Sequence, residues 1–309
     1  MKNRAGFAAL AAALLLAPLQ TQAQVPPDIA AKLREIGRVS DPLKTAEHYK
    51  PLHPEKPYSG VHVQTDLKYA PDDRNLLDIA SPREPDGKPR PVLIFVHGGG
   101  FVRGDRVSIP PFDSNIMVWA VRNGFLGVNM TYRLAPKHPW PAGRDDVATA
   151  VEFVRRNISK HDGDPQRIYL MGHSAGAMHV ASYVAMVAEK GEKPIAGAII
   201  VSAFYEFLVA NGSPAEKAYL GENPANYAAA SSIKSLPKAG FPLLLAYAEL
   251  DPPLFVSQAE QMNKILCDAG KCPRFVPLKD HSHMSEIYAV GTPDVSLTKE
   301  ILAFTGMGK

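Results

Sequence analysis

The chain has 309 residues, of which 46% are hydrophobic, and its formal net charge at pH 7 is +3. Length and composition allow a sizeable core, and no linker interrupts the pattern, so we expect one α/β domain rather than two. The sequence contains no dense run of lysine and arginine, which argues against nucleic acid or an acidic macromolecule as a partner.

The first residues have the pattern of a secretory signal. Two positive residues precede the apolar stretch 5–16, which is too short to cross a bilayer comfortably, and Thr21-Gln22-Ala23 places small residues where a signal peptidase reads. We predict cleavage after Ala23, so that residues 1–23 are a signal peptide and 24–309 the exported domain, periplasmic or secreted. An uncleaved N-terminal anchor is the alternative. No later run of about 18 apolar residues follows, so we expect no stable membrane insertion of the mature chain.

The first central strand leads into a run of glycines. Residues 24–58 are rich in proline, and Val61–Tyr69 and Asn75–Ile79 read as two antiparallel edge strands. The apolar run Pro91–Val96 then predicts a strand that is buried on both faces. It continues into His97-Gly98-Gly99-Gly100-Phe101. Such a loop is typical of an oxyanion hole, because a Cβ would keep its backbone N–H groups from a substrate oxygen. A phosphate-binding loop would need a Gly-Lys-Ser/Thr continuation, which this loop lacks.

Helix and strand patterns alternate through the middle of the chain. The predicted elements are the helix Ser114–Asn123, the strand Leu126–Met130, the helix Asp145–His161, the strand Arg167–Met171, and the strands 195–201 and 242–248. This alternation predicts an α/β fold with a mostly parallel, doubly wound sheet.

A serine lies between the strand Arg167–Met171 and the helix Ala177–Lys190, in Gly172-His173-Ser174-Ala175-Gly176. Gly-x-Ser-x-Gly between a strand and a helix is typical of a nucleophile elbow, whose tight turn has no room for side chains at the two glycines. Ser174 is therefore the predicted nucleophile. The Ala175 N–H, at the start of the helix, is aimed at a developing oxyanion. An ordinary strand-to-helix turn is the alternative.

Three segments together resemble the hormone-sensitive-lipase-like esterases of the α/β-hydrolase superfamily. They are the His-Gly-Gly-Gly-Phe run, Tyr132–Ala142 with its Tyr-Arg-Leu-Ala-Pro start, and Gly172–Ala177. The chain also resembles the kynurenine-formamidase-like and feruloyl-esterase-like hydrolases, and the last segment is nearer the formamidase-like ones. The resemblance covers roughly residues 60–305 and implies an α/β-hydrolase fold with Ser, Asp/Glu and His in that order.

The acid of such a site should follow the strand 242–248. Asp251, in Asp251-Pro252-Pro253, matches the family's Asp-Pro motif and lies at the carboxyl end of that strand, where ligands gather in such sheets. Glu249 is the alternative acid, and a mere cap on the following helix is the alternative role for Asp251.

Two cysteines flank the end of the next predicted helix, Leu254–Asp268. Cys267 and Cys272 lie on either side of Gly270, and in an oxidising compartment they can close a disulfide across this turn. Two free thiols are the alternative.

The base should follow the last predicted strand, Phe275–Leu278, where His281 and His283 compete for the role. Residues two apart in an extended segment point the same way, so geometry does not choose between them. In the similar families the catalytic histidine is often followed by an apolar residue and a short helix, which favours His283. A zinc site is the alternative role for the pair, but no third ligand has suitable spacing.

Together these residues predict a serine carboxylesterase acting on a small-molecule ester of a small or aryl substrate, with no metal or organic cofactor. Its oxyanion hole is the N–H groups of Gly99, Gly100 and Ala175. The N-terminal segment and residues 204–236 are expected to form a small cap. The candidate pocket residues are Phe101, His173, Phe204 and Tyr205; core packing is the alternative for the aromatic ones. A formamidase-like amidase and a catalytically silent binding protein on the same fold are the alternative functions.

Overall fold

The computed structural model describes residues 24–107, 109–112, 114–207 and 212–308. The predicted signal peptide, residues 1–23, lies outside this part of the chain. Among the described residues, no helix is long and apolar enough to cross a membrane.

The centre of the structure is an eight-stranded sheet with the order β1-β2-β4-β3-β5-β6-β7-β8. Its strands are β1 Val61–Lys68, β2 Leu76–Pro82, β3 Arg90–Val96, β4 Leu126–Met130, β5 Gly163–His173, β6 Gly197–Val201, β7 Leu243–Leu250 and β8 Arg274–Ser282. β2 pairs antiparallel with both β1 and β4, and the remaining pairs are parallel. The predicted α/β class and the mostly parallel sheet are confirmed. β2 is not an edge strand as we expected, because β4 pairs with its inner side.

Helices cover both faces of the sheet. They are α1 Pro27–Ile36, α2 Pro42–Tyr49, α3 Asn115–Arg122, α4 Ala142–Asn157, α5 Ala175–Glu189, α6 Pro214–Leu220, α7 Pro224–Ala230, α8 Pro253–Asp268, α9 Ser285–Tyr288 and α10 Thr298–Thr305. The sequence analysis predicted no helix at the positions of α1, α2, α6, α7 and α10.

Two apolar cores lie on opposite faces of the sheet, and β3 contributes to both. Ile94 packs with α4 and α5 in one core, while Leu93 packs with α1, α3 and α10 in the other. Successive residues of a strand point to opposite faces, so a strand buried on both sides reads as a continuous apolar run. Because β3, β5, β6 and β7 run parallel, their carboxyl ends meet at one edge of the sheet.

Local sequence explains where the N-terminal helices begin. Pro26 precedes α1 and Pro27 is its first residue, while Pro42 opens α2 after Asp41, whose side chain accepts a hydrogen bond from the Lys44 N–H. Proline suits the first helical turn because its missing N–H has no partner there in any case. α1 packs on β8 and α2 on α9, which brings this segment to the edge of the sheet that carries the candidate site.

A disulfide joins Cys267, at the end of α8, to Cys272, just before β8. It closes the turn between a helix and a strand.

Candidate active site

Ser174 lies on a strained turn between β5 and α5. Its backbone has φ 54° and ψ −125°, a left-handed conformation that is rare for a residue with a side chain. A Cβ on Gly176 would lie 2.2 Å from the Val96 carbonyl oxygen, and one on Gly172 would lie 2.5 Å from the Gly176 oxygen. The two glycines therefore permit the close packing that this turn requires.

Three side chains form one hydrogen-bonded chain at the carboxyl edge of the sheet. His283 Nε2 lies 2.9 Å from Ser174 Oγ, and His283 Nδ1 lies 2.6 Å from Asp251 Oδ1. The histidine side chain is 2% exposed and that of the aspartate 0%. Because a carboxylate only accepts hydrogen bonds, Nδ1 carries the proton and Nε2 is free to accept one from the serine hydroxyl.

Asp251 is held by its surroundings as well as by the histidine. Its Oδ2 accepts hydrogen bonds from the Ser202 hydroxyl at 2.5 Å and from the Ala248 N–H at 2.8 Å. These donors stabilise the charged form of a buried carboxylate. Asp251 can thus orient His283 without moving.

The glycine loop after β3 lies directly beside Ser174. A Cβ on Gly98 would be 3.1 Å from the Ser174 Cβ. Gly99 and Gly100 have φ values of +127° and +59°, and a Cβ on Gly99 would lie 2.0 Å from the Arg103 carbonyl oxygen. Only glycine fits this path at Gly99.

Tyr132 holds the glycine loop in place, and the start of α5 lies next to it. The Tyr132 hydroxyl donates to the His97 carbonyl oxygen at 3.0 Å, and the two rings stack with centroids 4.4 Å apart. Ala175 is the first residue of α5, and the N–H groups of the first helical turn have no partner within the helix. The glycine loop and the start of α5 therefore both lie directly beside Ser174.

The two alternative residues of the sequence analysis have other partners. The Glu249 carboxylate accepts the Asp280 N–H at 2.7 Å on the surface. His281 is buried; its Nδ1 lies 3.0 Å from the Ser285 hydroxyl and its Nε2 lies 3.2 Å from Asp294 Oδ2. The geometry thus connects His283 and Asp251 to Ser174, and it places Glu249 and His281 elsewhere.

A cavity of about 400 Å³ opens over Ser174. Its lining includes His173, as expected, and the apolar side chains Ile109, Phe112, Phe255, Ile287 and Tyr288 together with the polar Asp105 and Asn129. Phe112 and Phe255 were not anticipated, because each lies on a loop or a first helical turn whose position only the tertiary structure fixes.

The other three expected pocket residues do not line this cavity. Phe101 is 3% exposed and stacks on Tyr219 at 4.6 Å. Tyr205 is buried. Phe204 packs against Phe255, with the two ring centroids 4.2 Å apart. They pack in or against the core rather than facing the cavity.

The N-terminal segment closes one side of the cavity, whereas α6 lies behind the glycine loop. Ser40 and Pro42 line the cavity. The described residues of the segment 204–236 contribute none of the lining, and Ala215 Cβ instead lies 3.6 Å from where a Cβ on Gly100 would be. Of the two expected cap segments, the N-terminal one faces the cavity.

Comparison with known proteins decides the family. The BD-FAE family model matches residues 77–266. The chain belongs to the BD-FAE family. The match includes the glycine loop, the serine turn and Asp251.

Relatives and structures of the BD-FAE chain carry esterase names. Esterase LipQ of Mycobacterium tuberculosis is 31% identical over 239 residues, which are 69% of this chain and 55% of the relative. Carboxylesterase NlhH of the same organism is 36% identical over 105 residues, which are 34% of this chain and 32% of the relative. The chain thus spans about half the length, or less, of these curated relatives.

Solved structures share the fold of the BD-FAE chain. A bacterial heroin esterase superposes with a TM-score of 0.69 at 24% identity, covering 91% of this chain and 96% of that one. Esterase B from Lactobacillus superposes with the same TM-score at 17% identity, covering 91% and 95%. The predicted α/β-hydrolase fold and the resemblance to the lipase-like esterases are confirmed.

Burial keeps two further histidines of the BD-FAE site neutral. Burial lowers the pKa of His97 to about 4, although its hydrogen bond to the Gly98 carbonyl at 2.7 Å opposes the shift. Burial and the neighbouring His283 hold the pKa of His173 well below its usual value. Of these three histidines, His283 is the one whose Nε2 reaches the nucleophile.

One group among the described residues has the spacing of metal ligands. His173, His283 and Glu286 bring one donor atom each within 4.8 Å of one another. However, both ring nitrogens of His283 are bonded to Ser174 and Asp251, and His173 Nε2 lies 2.7 Å from the His283 carbonyl oxygen. Hydrogen bonds already use these atoms. The zinc interpretation of His281 and His283, which the sequence analysis set aside, finds no support in their geometry, because the two rings face different partners.

Proposed function

We propose that the chain is a serine carboxylesterase that cleaves esters of small or aryl substrates through an acyl-enzyme. The observation that carries this proposal is the hydrogen-bonded chain from Asp251 through His283 to Ser174, which ends in an open cavity. The esterase names of the relatives support it. A silent binding protein is disfavoured, since such a protein does not need all three side chains in register.

The mechanism follows from the donor and acceptor roles. His283 Nε2 accepts the proton of Ser174 as Oγ attacks the ester carbonyl, and Asp251 stabilises the imidazolium that forms. The backbone N–H groups of Gly99, Gly100 and Ala175 stabilise the negative oxygen of the tetrahedral intermediate. His283 then returns the proton to the departing alcohol. Water, activated by the same histidine, hydrolyses the acyl-enzyme and regenerates the serine.

The cavity favours a substrate with an apolar part of modest size. Its volume of about 400 Å³ is in the range of small-molecule sites, and the rings of Phe112, Phe255 and Tyr288 line it. An aryl or short acyl group fits between these rings. A formamide of an aromatic amine has the same shape and the same reacting carbonyl, so a formamidase-like activity is the second candidate.

We further propose that the mature domain is exported after cleavage behind Ala23. The signal pattern of residues 1–23 supports this, and a disulfide between Cys267 and Cys272 suits an oxidising compartment. N-terminal sequencing of the protein recovered from outside the cytoplasm tests the cleavage site. A chain that retains its first residues there contradicts it.

The nucleophile is tested with Ser174→Ala and a fluorophosphonate probe. We expect the variant to fold normally, to lose hydrolysis of p-nitrophenyl acetate and to escape labelling, while EDTA leaves the wild type unaffected. Activity that is lost in EDTA and restored by zinc would contradict the serine mechanism. Comparing kcat/KM for a p-nitrophenyl ester, a feruloyl ester and N-formylkynurenine then separates the esterase from the formamidase.

A further inference from the structure

Glu286 is a buried acid that the mechanism above does not use. It lies in α9, three residues after His283, and is 0% exposed. Its Oε1 lies 3.1 Å from His173 Nε2, and neither of its oxygens has a hydrogen bond of normal geometry to the described residues. A buried acid is costly to retain, so its position next to the reacting groups calls for an explanation.

His173 connects Glu286 to both halves of the site. It immediately precedes Ser174, and its Nε2 lies 2.7 Å from the His283 carbonyl oxygen. Because a carbonyl oxygen only accepts hydrogen bonds, Nε2 carries the proton of this neutral ring. The same N–H faces Glu286. The His173 ring therefore bridges the nucleophile's turn and the segment that carries the base, separately from the bond between Ser174 and His283.

The surroundings of Glu286 disfavour its charged form. The titratable groups that face it are His173 from β5, Asp251 from the turn after β7, and His283 from its own segment. Burial and the charge of Asp251 raise the pKa of Glu286 well above its usual value, against a smaller opposing effect of the Ser202 hydroxyl. The Ser202 hydroxyl and the Ala248 N–H donate to Asp251, whereas no described donor makes a hydrogen bond of normal geometry to Glu286.

We propose that Glu286 is a positioning residue that acts with His173 to hold the backbone of His283 at the distance from Ser174 that proton transfer needs. The inference rests on the proposed serine esterase function. It follows that a second negative charge at Glu286 disturbs the site. Loss of its proton places an unpaired charge against Asp251 and the neutral His173.

Two substitutions separate the polar role of the Glu286 side chain from its volume and from its ability to ionise. Glu286→Gln keeps the size and polarity of the protonated acid but cannot ionise. Glu286→Met keeps approximate size and removes the polar group. Glu249→Gln is the matched control, because Glu249 lies at the end of β7 on the surface and takes no part in the proposed machinery. For each protein, kcat and KM for p-nitrophenyl acetate are measured across pH, per active site titrated with a fluorophosphonate.

We expect Glu286→Met to lower kcat by about 10- to 100-fold with little change in KM, since a small misplacement of reacting groups costs that much. Glu286→Gln should keep kcat within about fivefold, which corresponds to less than 1.4 kcal/mol. The wild type and Glu249→Gln should lose kcat in a one-proton transition at alkaline pH that Glu286→Gln lacks. The acid limb should be the same in all of them.

Three results overturn the inference. They are a wild-type kcat and pH profile in Glu286→Met, a loss in Glu286→Gln as large as in Glu286→Met, and an alkaline transition that persists in Glu286→Gln. In the first case, a lower Tm beside the unchanged kcat per active site would identify a purely structural role. If Glu286→Met does not fold, the comparison of Glu286→Gln with the wild type decides. Failure of Ser174→Ala to abolish activity refutes the proposed function itself and is read independently of these variants.

Discussion

Arg38 Nε donates a hydrogen bond to the backbone carbonyl oxygen of Asp251 at a distance of 3.0 Å. Four residues earlier on the same N-terminal segment, Arg34 forms an ion pair with Asp280 at the end of β8. Two arginines thus fasten this segment to the turns that carry the acid and the base. The segment is therefore part of the framework of the site, besides covering one side of the cavity.

Arg38→Ala is expected to lower kcat for p-nitrophenyl acetate by up to about tenfold, because one hydrogen bond that holds the Asp251 turn contributes on the order of 1 kcal/mol. Steady-state kinetics on the purified variant measure this. Lys32→Ala, in the preceding helix α1 and paired with the exposed Glu35, serves as the control and should behave as the wild type. Equal kcat values in Arg38→Ala and Lys32→Ala would contradict the argument.

His283→Ala and His281→Ala should fail in different ways. Removing His283 takes away the base, so kcat should fall by several orders of magnitude while the protein stays folded. Removing His281 takes away the partner of Asp294 Oδ2, while Oδ1 keeps its two hydrogen bonds from Ser296. This should cost about 1–3 kcal/mol of unfolding free energy, with kcat per folded molecule within about tenfold. Urea unfolding and kinetics on both variants test the assignment. The reverse pattern would show that His281 is the base.

Gly99→Ala should abolish the oxyanion hole. Its Cβ would collide with the Arg103 carbonyl oxygen at a φ that disfavours alanine, so the loop must shift. We expect kcat to fall by about 10²- to 10³-fold, the usual effect of losing an oxyanion donor. Gly87→Ala is the control, since Gly87 also has a positive φ but open space around it. Comparable losses of kcat in the two variants would refute the specific role of Gly99.

Stability should fall with pH below neutrality because of buried neutral histidines. Burial, with a contribution from His97, lowers the pKa of His179 to about 3, whereas an unfolded histidine has a pKa near 6.5. As pH falls from about 6.5 towards 3, the unfolded chain binds a proton that the folded chain does not. The unfolding free energy then drops by up to about 1.4 kcal/mol per pH unit for this group.

His179→Leu should reduce that slope by up to one proton, while His62→Gln, which changes an exposed histidine, should keep the wild-type slope. Urea unfolding between pH 7 and pH 4 measures both. An unchanged slope in His179→Leu would show that its ring is not the neutral buried group described here.

The disulfide should stabilise the fold modestly and leave catalysis alone. It closes a short loop with a sequence separation of 5, so its loss should cost less than the roughly 3 kcal/mol expected for a 15-residue loop. Intact mass should be two hydrogens below that of the reduced protein, and activity should survive reduction. Two titratable thiols in the unreduced native protein would contradict the bond.

The sequence predicted those parts of the site that lie in contiguous motifs. Ser174 and the glycine loop are each defined by a few adjacent residues, whose backbone demands are visible in their glycines. The positions of the central strands along the chain could also be predicted, because each is a short apolar run. His281 and His283 were harder, because β8 ends at Ser282 and Asp280 has φ 62°, which breaks the alternation that an extended strand would impose.

The rest depends on which loops meet in space. Phe112 and Phe255 are far apart in the chain, and no periodic pattern tells that both face one cavity. The same holds for Arg38 and for Glu286, whose neighbours come from strands separated by many residues. Phe101 misled the sequence analysis, since an aromatic residue directly after the glycine loop looked suited to the pocket, yet its ring packs against Tyr219.

β6 lies between the strand that leads to Ser174 and the strand that leads to Asp251, and Ser202, the residue directly after β6, donates a hydrogen bond to that acid. The span across the site is therefore set by two strand-to-strand spacings of about 4.8 Å each, a length fixed by the backbone ladder. Exchanging one apolar side chain for another in β6 leaves this spacing between the strands unchanged. A slip of one residue would carry Ser202 about 3.3 Å along the strand, beyond reach of Asp251. The site should thus tolerate changes of volume in the sheet far better than changes of register.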